Sequence, residues 1–370
     1  MISPAPLLLL AACTGPKEVP DYTVSDGQIH HNGVEIQLHG VNWFGFEGSE
    51  HVVHGLWTRT IDDMIAQMKG LGFNAVRLPF CPETLDGVTP GAVDYSINPN
   101  LEGLDSLDLL DLTVQKLNDR EMYMLLDHHS PDCEEISELW YTGAYSEEDW
   151  INDLTFVANR YGGLGYFLGI DLKNEPHGAA TWGTGDESTD WNSAVERASE
   201  AVLSANPGIL VFAEGIQENP ECSSTDNAHW WGGNLEPQAC NPLAIPSNKL
   251  VLSPHVYGPD VYDMSYFDEA NFPENMDAIW NTQFGFAADN GYVVAPGEFG
   301  GMYGEGNPLD VTWQNTLVDY FMEKGICNFF YWSWNPNSGD TGGILDDDWT
   351  TVEEGKYENL KRLMDACNAD

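Results

Sequence analysis

Short apolar runs alternate with longer amphipathic stretches along most of this chain. In "TRTIDDMIAQMKGLG" the apolar side chains recur at the spacing of a helix with one buried face. That face carries Ile61, Met64, Ile65, Met68 and Leu71. The stretch leads into "FNAVRLPF", and a second helical stretch, "LDLLDLTVQKLNDREM", leads into "YMLLDHH". The pattern therefore predicts a series of helix and strand units.

Eight apolar runs are predicted as strands. They are Gln37–Asn42, "FNAVRLPF", "YMLLDHH", "YFLGIDL", "GILVFAEG", "KLVLSPHVY", "GYVVAPGEFG" and "NFFYWSW". Most intervals between them could hold a helix, which implies parallel pairing through right-handed crossovers. We therefore predict an α/β fold, a single-domain (β/α)8 TIM barrel, preceded by a short β-hairpin at His31-Asn32-Gly33. A doubly wound open sheet is the alternative, but no glycine-rich nucleotide turn follows the first strand.

The charge balance restricts the class of partner. The 370 residues include 14 Lys and Arg against 59 Asp and Glu, a net charge of -45. Such a field repels nucleic acid and anionic membrane surfaces, and it fits a neutral substrate better than an acidic one. The acidic composition also indicates adaptation to a salty or extracellular setting.

The N-terminus resembles an export signal. "MISPAPLLLLAACTG" contains Leu10-Ala11-Ala12-Cys13, a match to the lipobox of bacterial lipoproteins, although no Lys or Arg precedes the apolar run. We predict a signal peptide at 1–12, a lipid-anchor Cys13 with a tether at 13–27, and the barrel domain at 28–370. The protein is then exported, as a cell-surface lipoprotein or a secreted protein. Any membrane contact is through that anchor alone.

Cysteine spacing gives no sign of a metal site. Seven cysteines are present, and the six that follow Cys13 favour disulfides in an exported protein. The sequence has no zinc-site spacing, EF-hand pattern or P-loop. We expect no cofactor, no metal and a monomeric protein.

Polar and aromatic residues end almost every predicted strand. They are Asn42 with Trp43, Arg77, His128 with His129, Asn174 with Glu175, His255 with Tyr257, Glu298, and Trp332 with Trp334. Each alone could be structural. In a (β/α)8 barrel, however, the carboxyl ends of the strands share one rim, where active sites form. The pattern therefore predicts a site at this rim.

Two of these residues, Glu175 and Glu298, are carboxylates predicted to follow strands four and seven. They would face each other across the barrel mouth. A pair of facing carboxylates is what glycoside hydrolysis requires, one protonated to serve as the acid and one ionised. Arg77 and Tyr257 could lower the pKa of one carboxyl, while a more apolar or anionic setting would raise the pKa of the other.

Ten stretches together resemble glycoside hydrolase family 5, and within it the bacterial endo-β-1,4-glucanases. They are "GVNWFGFE", "VVHGLW", "NAVRLPF", "LDHHSPDC", "LWYT", "DLKNEPHG", "WWGGNL", "SPHVYG", "GEFG" and "YWSWNPNSGDTGGIL". They follow the family's order across roughly Gly40 to Leu345.

The resemblance implies a role for each matching residue. Glu175 would be the general acid/base and Glu298 the nucleophile of a retaining double displacement. Asn174 would bond the sugar 2-hydroxyl, and Arg77 and Tyr257 would hold Glu298. His129 and His255 would border the cleft. Trp332 would stack beneath a glucosyl ring, with Trp334, Trp43 and Trp231 as further platform candidates.

Two departures from the family need interpretation. Relatives often have Arg where this chain has His128, so we align the family's histidine with His129. "FEGSE" lacks the Cys that could pair with the one in "SPDC". We therefore predict that Cys81 pairs with Cys133. Two further pairings are hypotheses: Cys222–Cys240 would close a loop after the fifth strand, and Cys327–Cys367 would tie the eighth strand to the last helix.

The resemblance implies an endo-acting, retaining hydrolase of β-1,4-glucosidic bonds, with neutral β-glucan as its partner. A β-mannanase or a mixed-linkage glucanase on the same scaffold is the alternative among enzymes. A non-catalytic glycan-binding surface lipoprotein is the alternative of another class. It is the weaker one, because such proteins usually lose a catalytic carboxylate and both are present here.

Overall fold

The computed structural model describes residues 19–218 and 229–369. The predicted signal peptide and Cys13 lie outside the described residues. Among the helices of the described ranges, none combines the length and the apolar character needed to cross a bilayer.

A closed ring of parallel strands forms the centre of the fold. Its strands are β4 (His39–Asn42), β5 (Ala75–Phe80), β6 (Tyr123–His128), β7 (Phe167–Asp171), β8 (Leu210–Ala213), β9 (Leu250–Leu252), β10 (His255–Tyr257), β11 (Glu298–Gly300) and β12 (Phe329–Tyr331). Seven of them pair in the order β12-β4-β5-β6-β7-β8-β9, and β10 pairs with β11.

Backbone hydrogen bonds complete the ring. The N–H of Ala295, just before β11, donates to Leu252 in β9 over 2.8 Å, and the N–H of Trp332, just after β12, donates to Phe299 in β11 over 2.9 Å. β9 and β10 are two segments of one barrel position, separated by Ser253 and Pro254. The eight positions match the eight predicted strands, so the (β/α)8 prediction is confirmed.

The helices cover the outside of the ring. They are α1 (Ile61–Gly70), α2 (Pro82–Leu85), α3 (Ser106–Asp119), α4 (Glu147–Tyr161), α5 (Trp191–Ala205), α6 (Pro237–Cys240), α7 (Met276–Trp280), α8 (Phe286–Asp289), α9 (Asp310–Lys324) and α10 (Glu354–Cys367). Short 3₁₀ turns lie at Pro99–Leu101 and Ser265–Asp268, and a π-helical turn lies at Asn281–Gly285.

Local sequence signals explain where the long helices begin. The Thr60 side chain accepts the N–H of Asp63 at the start of α1, and Ser146 and Asp149 form a reciprocal capping box at the start of α4. The predicted apolar face of α1 is buried from Ile61 to Met68, and Leu71 caps the helix half-buried. The helices therefore follow their hydrophobic period.

A small antiparallel sheet closes the amino-terminal end of the barrel. Its strands are β1 (Tyr22–Ser25), β2 (Gln28–His31) and β3 (Val34–Ile36). The predicted hairpin joins β2 to β3, with Asn32 and Gly33 at positive φ. The predicted tether ran through residue 27, but the described chain already forms β1 at Tyr22, whose hydroxyl donates to Gly165 over 2.6 Å. The folded domain therefore starts before residue 28, because Tyr22 is fully buried under the barrel.

The close approach of β7 to β8 requires glycine at position 169. A Cβ there would collide with the backbone carbonyl of Leu210, which cannot rotate away. We expect Gly169→Ala to lower the free energy of unfolding by about 1–3 kcal/mol, the usual cost of overpacking. Thermal and urea unfolding would measure it. Gly163→Ala is the matched control, since an added Cβ there meets open space. Equal stability of the two variants would contradict this account of the strand contact.

The end of β6 buries a neutral histidine. His128 stacks on Tyr145, and burial lowers its pKa to about 3 from 6.5. The unfolded chain takes up this proton near pH 6.5 and the folded chain only near pH 3, so stability is present above pH 6.5 and is lost as the pH falls toward 3. At pH 5 the loss is about 2 kcal/mol. In His128→Gln, the free energy of unfolding measured in urea should therefore fall less between pH 7 and pH 5 than in the wild type. An equal fall in both proteins would show that His128 is not the source of this pH dependence.

Candidate active site

Arg77 lies at the centre of the site. It points from β5 into the barrel and is fully buried. Its guanidinium contacts four carboxylates, at 2.6 Å to Glu298, 3.1 Å to Asp171, 3.2 Å to Asp127 and 3.4 Å to Glu214. Although burial alone would lower the pKa of Arg77, these carboxylates raise it well above its usual value. The side chain is therefore a fixed positive charge beneath the rim.

The two predicted glutamates meet above this charge. Glu175 follows β7 and Glu298 begins β11. One oxygen of each, together with one ring nitrogen of His255, lie within 4.8 Å of one another. Both side chains are buried at the carboxyl-terminal rim of the strands. The structure therefore brings the carboxylates together as the strand pattern predicted.

Glu298 is held on both carboxylate oxygens. Oε1 accepts from Arg77 Nη1 over 2.6 Å, and Oε2 accepts from the Tyr257 hydroxyl over 2.7 Å. His255 Nδ1 lies 3.5 Å from Oε2. These contacts fix the orientation of the Glu298 carboxylate.

Glu175 has a different set of partners. Trp230 Nε1 donates to Oε1 over 2.8 Å, and His255 Nδ1 lies 3.1 Å from the same oxygen. Burial raises the pKa of the Glu175 carboxyl, but the hydrogen bonds from His255 and Trp230 outweigh it and lower the pKa overall. We expected the setting of the second carboxyl to raise its pKa; for Glu175 that was wrong, because an imidazole is hydrogen-bonded to it.

Two further predicted residues border the glutamates. Asn174 accepts from Arg77 through Oδ1 over 3.0 Å, and its buried Nδ2 has no partner among the described residues. His129 contacts Asp127 through Nδ1 at 2.6 Å. Burial would lower the pKa of His129, but Asp127 raises it overall. His128 is directed elsewhere, with Nε2 3.1 Å from the Tyr145 hydroxyl.

The tryptophans divide into two groups. Trp332 is partly exposed at the rim and stacks on Phe44, and Trp231 is partly exposed and stacks on His177. Trp43 and Trp334 are 0% exposed, so predicting them as sugar platforms was wrong. Their indole N–H groups point into the protein, Trp43 to the His54 carbonyl and Trp334 to the Met64 sulfur. Neither residue belongs to a barrel strand, since β4 ends at Asn42 and β12 at Tyr331, so the course of the following loops turns these two side chains inward.

Four residues of the site are absent from our sequence prediction: Asp127, Asp171, Glu214 and Trp230. Glu214 ends the run "GILVFAEG" just as Glu175 and Glu298 follow theirs, so the same signal was available for it. Asp127 and Asp171 lie within apolar runs, where an acidic residue indicates a buried partner. Trp230 adjoins the predicted Trp231, but its contact with Glu175 depends on a loop conformation.

Clusters of potential metal ligands coincide with this site. Asp171, Glu214 and His255 form one group, and Glu175, His255 and Glu298 form another. The Arg77 guanidinium already contacts three of these carboxylates. A second cation would be repelled by it, so the geometry suits proton transfer better than metal ligation.

Disulfides lie beside the rim and at the end of the chain. The structure joins Cys81, directly after β5, to Cys133 in the loop after β6, and Cys327 to Cys367 at the end of α10. The third predicted pairing includes Cys222, which lies outside the described residues.

Comparison with known proteins identifies the family. The family model for cellulase (glycosyl hydrolase family 5) matches residues 31–338. The chain is 58% identical over 358 residues to the major extracellular endoglucanase of Xanthomonas campestris pv. campestris, covering 96% of this chain and 73% of that protein. It is 41% identical to an endoglucanase of Paenibacillus polymyxa, over 93% of this chain and 86% of the relative.

Solved structures of endoglucanases have the same fold as this chain. The catalytic domain of the Xanthomonas endoglucanase superposes with a TM-score of 0.91 at 58% identity, over 93% of this chain and 100% of that one. An endocellulase from Pyrococcus horikoshii in complex with cellotetraose superposes with a TM-score of 0.91 at 49% identity, over 94% and 99% of the two chains. The chain therefore belongs to the cellulase family, glycosyl hydrolase family 5.

Proposed function

We propose that this protein is an endo-acting hydrolase of β-1,4-glucosidic bonds in cellulose or related β-glucans, and that it retains the anomeric configuration. The observation that carries the proposal is the closeness of Glu175 and Glu298, whose oxygens approach within 4.8 Å. Retaining glycosidases place their carboxyl groups about 5–5.5 Å apart, whereas inverting enzymes leave room for a water at roughly 6.5–9.5 Å. The family's relatives are named endoglucanases.

Glu298 is the nucleophile in this proposal. Arg77 and Tyr257 bond both of its oxygens, which fixes the direction of the carboxylate. The carboxylate attacks the anomeric carbon, and a covalent glycosyl-enzyme forms as the glycosidic bond breaks.

Glu175 is the general acid and then the general base. It gives a proton to the leaving oxygen in the first step, and it takes a proton from the attacking water in the second. Trp230 fixes its Oε1 from one side. Its place beside Glu298 puts both roles within reach of one glycosidic bond.

The surrounding side chains suit a chain of neutral sugars. The unpartnered Nδ2 of Asn174 is a donor for the 2-hydroxyl of the sugar whose bond is cut. Trp332 and Trp231 offer partly exposed aromatic faces for sugar rings, and His129 borders the same cleft. Cleavage within the polymer then needs only an open cleft, and the protein would act as a monomer.

Export is part of the same proposal. The chain begins with a lipobox-like sequence, and the Xanthomonas relative is named an extracellular enzyme. Anchoring through Cys13 remains a prediction, which mass spectrometry of the mature N-terminus would test.

The first experiment measures viscosity loss and reducing-sugar release on carboxymethylcellulose and on galactomannan. We expect rapid viscosity loss on the cellulose derivative, and a fall in kcat on the order of 10³-fold or more in Glu298→Gln, which removes the nucleophile but keeps its size. Glu323→Gln, at an exposed position of α9, is the matched control and should keep wild-type activity.

The other outcomes separate the alternatives. Activity on galactomannan alone would replace the substrate by a mannan and keep the two glutamates. Activity on neither polymer from folded protein, with retained binding to glucan, would indicate a non-catalytic glycan-binding surface protein.

Proton NMR of the first products tests the stereochemical course. We expect the β-anomer of the reducing end to appear first and the α-anomer to grow in only by mutarotation, because the carboxylates are too close for an intervening water. Initial formation of the α-anomer would contradict the double displacement.

A further inference from the structure

Glu214 connects the acid/base to the rest of the buried charge. It follows β8 and is fully buried. Its Oε2 accepts the backbone N–H of Glu175 over 2.8 Å, and its Oε1 lies 3.0 Å from His255 Nε2 at ion-pair distance. The other nitrogen of His255 faces the Glu175 carboxylate. Glu214 therefore contacts Glu175 twice, once directly and once through the imidazole.

The local backbone is arranged around this carboxylate. Glu175 has a φ of 52°, a conformation that is uncommon outside glycine. The bond from its N–H to Glu214 stabilises that conformation. Gly232 packs against the same carboxylate at a φ of 67°, and a Cβ at position 232 would collide with Glu214 Oε2. The position is thus built to hold a carboxylate against the acid/base.

The charged side chains around His255 favour its protonated form. Five carboxylates face one another there: Asp127, Asp171, Glu175, Glu214 and Glu298. The cations are Arg77 and Lys173, and burial lowers the pKa of Lys173 to about 8; His129 adds a third positive charge when protonated. Tyr257 is neutral and donates to Glu298. Burial raises the pKa of Asp171 well above its usual value, so its carboxyl counts as neutral, and a proton on His255 then lies among the carboxylates of Asp127, Glu175, Glu214 and Glu298.

The shifted pKa values of His255, Glu214 and Glu175 agree with this balance of charges. Burial lowers the pKa of His255, but Glu214 and Glu298 raise it well above its usual value. Burial raises the pKa of Glu214 to about 7, against the effect of His255. The pKa of Glu175 is lowered despite its burial, chiefly by the hydrogen bond from His255. These directions favour an imidazolium at His255 over a protonated Glu175 carboxyl.

We propose that Glu214 is a positioning residue that keeps His255 protonated, so that His255 supplies the proton that Glu175 delivers to the leaving oxygen. The inference rests on the proposed function and adds Glu214 to the mechanism of Glu175 and Glu298. Glu214 itself does not touch the substrate.

The proton that leaves His255 in the first step returns to it in the second. In the first, Glu298 bonds to the anomeric carbon as the glycosidic bond breaks, and the leaving oxygen takes a proton from Glu175, which is replaced from His255 Nδ1. His255 is then neutral. In the second step, water attacks the anomeric carbon and the bond to Glu298 breaks. The water's proton passes through Glu175 back to His255, which restores the starting state.

Leaving groups of different acidity test the proposal. For Glu214→Gln, we expect kcat/KM to fall about 100-fold on cellotetraose, whose leaving group needs a proton, and less than about threefold on 2,4-dinitrophenyl β-cellobioside, whose leaving group does not. The alkaline pKa of kcat/KM on cellotetraose should also move down. Glu214→Asp keeps the negative charge and should recover part of the loss.

Controls separate this inference from the proposed function. Glu175→Gln should show the same dependence on the leaving group, and Glu298→Gln should lose both substrates. Failure of those two controls would overturn the two-glutamate mechanism. Equal losses on both substrates in Glu214→Gln, or no loss, would overturn the role of Glu214 alone.

A measurement on the wild type does not depend on any variant folding. With ¹⁵N-labelled histidine, the shifts of both ring nitrogens of His255 should report an imidazolium at neutral pH. Assigning the signal by its loss in His255→Gln identifies the residue. A neutral ring in the resting protein would overturn the proposal even if Glu214→Gln were unstable.

Discussion

The buried guanidinium of Arg77 is the interaction on which the rest of the site depends. It contacts carboxylates from β6, β7 and β11 and from Glu214, directly after β8, and so links positions around the barrel. A buried ion cluster of this kind contributes little net stability, because desolvation offsets the attraction between the charges. Its effect is on geometry, since each carboxylate near Arg77 can occupy only a narrow range of positions. The amide oxygens of Asn42 and Asn174 complete the same shell.

The fold and the principal residues could be predicted because both follow from repetition. Helix and strand periods alternate regularly along the chain, and parallel strands bring their carboxyl ends to one rim. The sequence was therefore enough to predict that Arg77, Glu175 and Glu298 lie at that rim. The direction of a side chain beyond the strand end could not. Trp43 and Trp332 both come directly after barrel strands in the sequence, yet one is buried and the other partly exposed. Loop conformation decides that difference, and it depends on contacts distant in sequence.

Electrostatic detail was also out of reach of the sequence. The pattern indicated two carboxylates with unlike environments, and the structure makes the difference specific: Glu298 faces a guanidinium and a phenol, while Glu175 faces an indole and an imidazole. Glu214 changes the interpretation further, because the protonation of one glutamate then depends on another that never meets the substrate. Groups coupled this closely titrate together, so each apparent pKa belongs to the set of residues and not to one of them.

The bond between Cys81 and Cys133 ties the loops after two neighbouring barrel strands, β5 and β6. Arg77 lies in β5, Asp127 lies in β6, and His129 directly follows β6. Thiols in a reducing cytosol stay unpaired, whereas an oxidising compartment closes such bonds. Under the export proposed above, the disulfide at the rim would form only after a newly made chain leaves the cell interior. In a reduced chain, the loops after β5 and β6 would lose this covalent link beside the site.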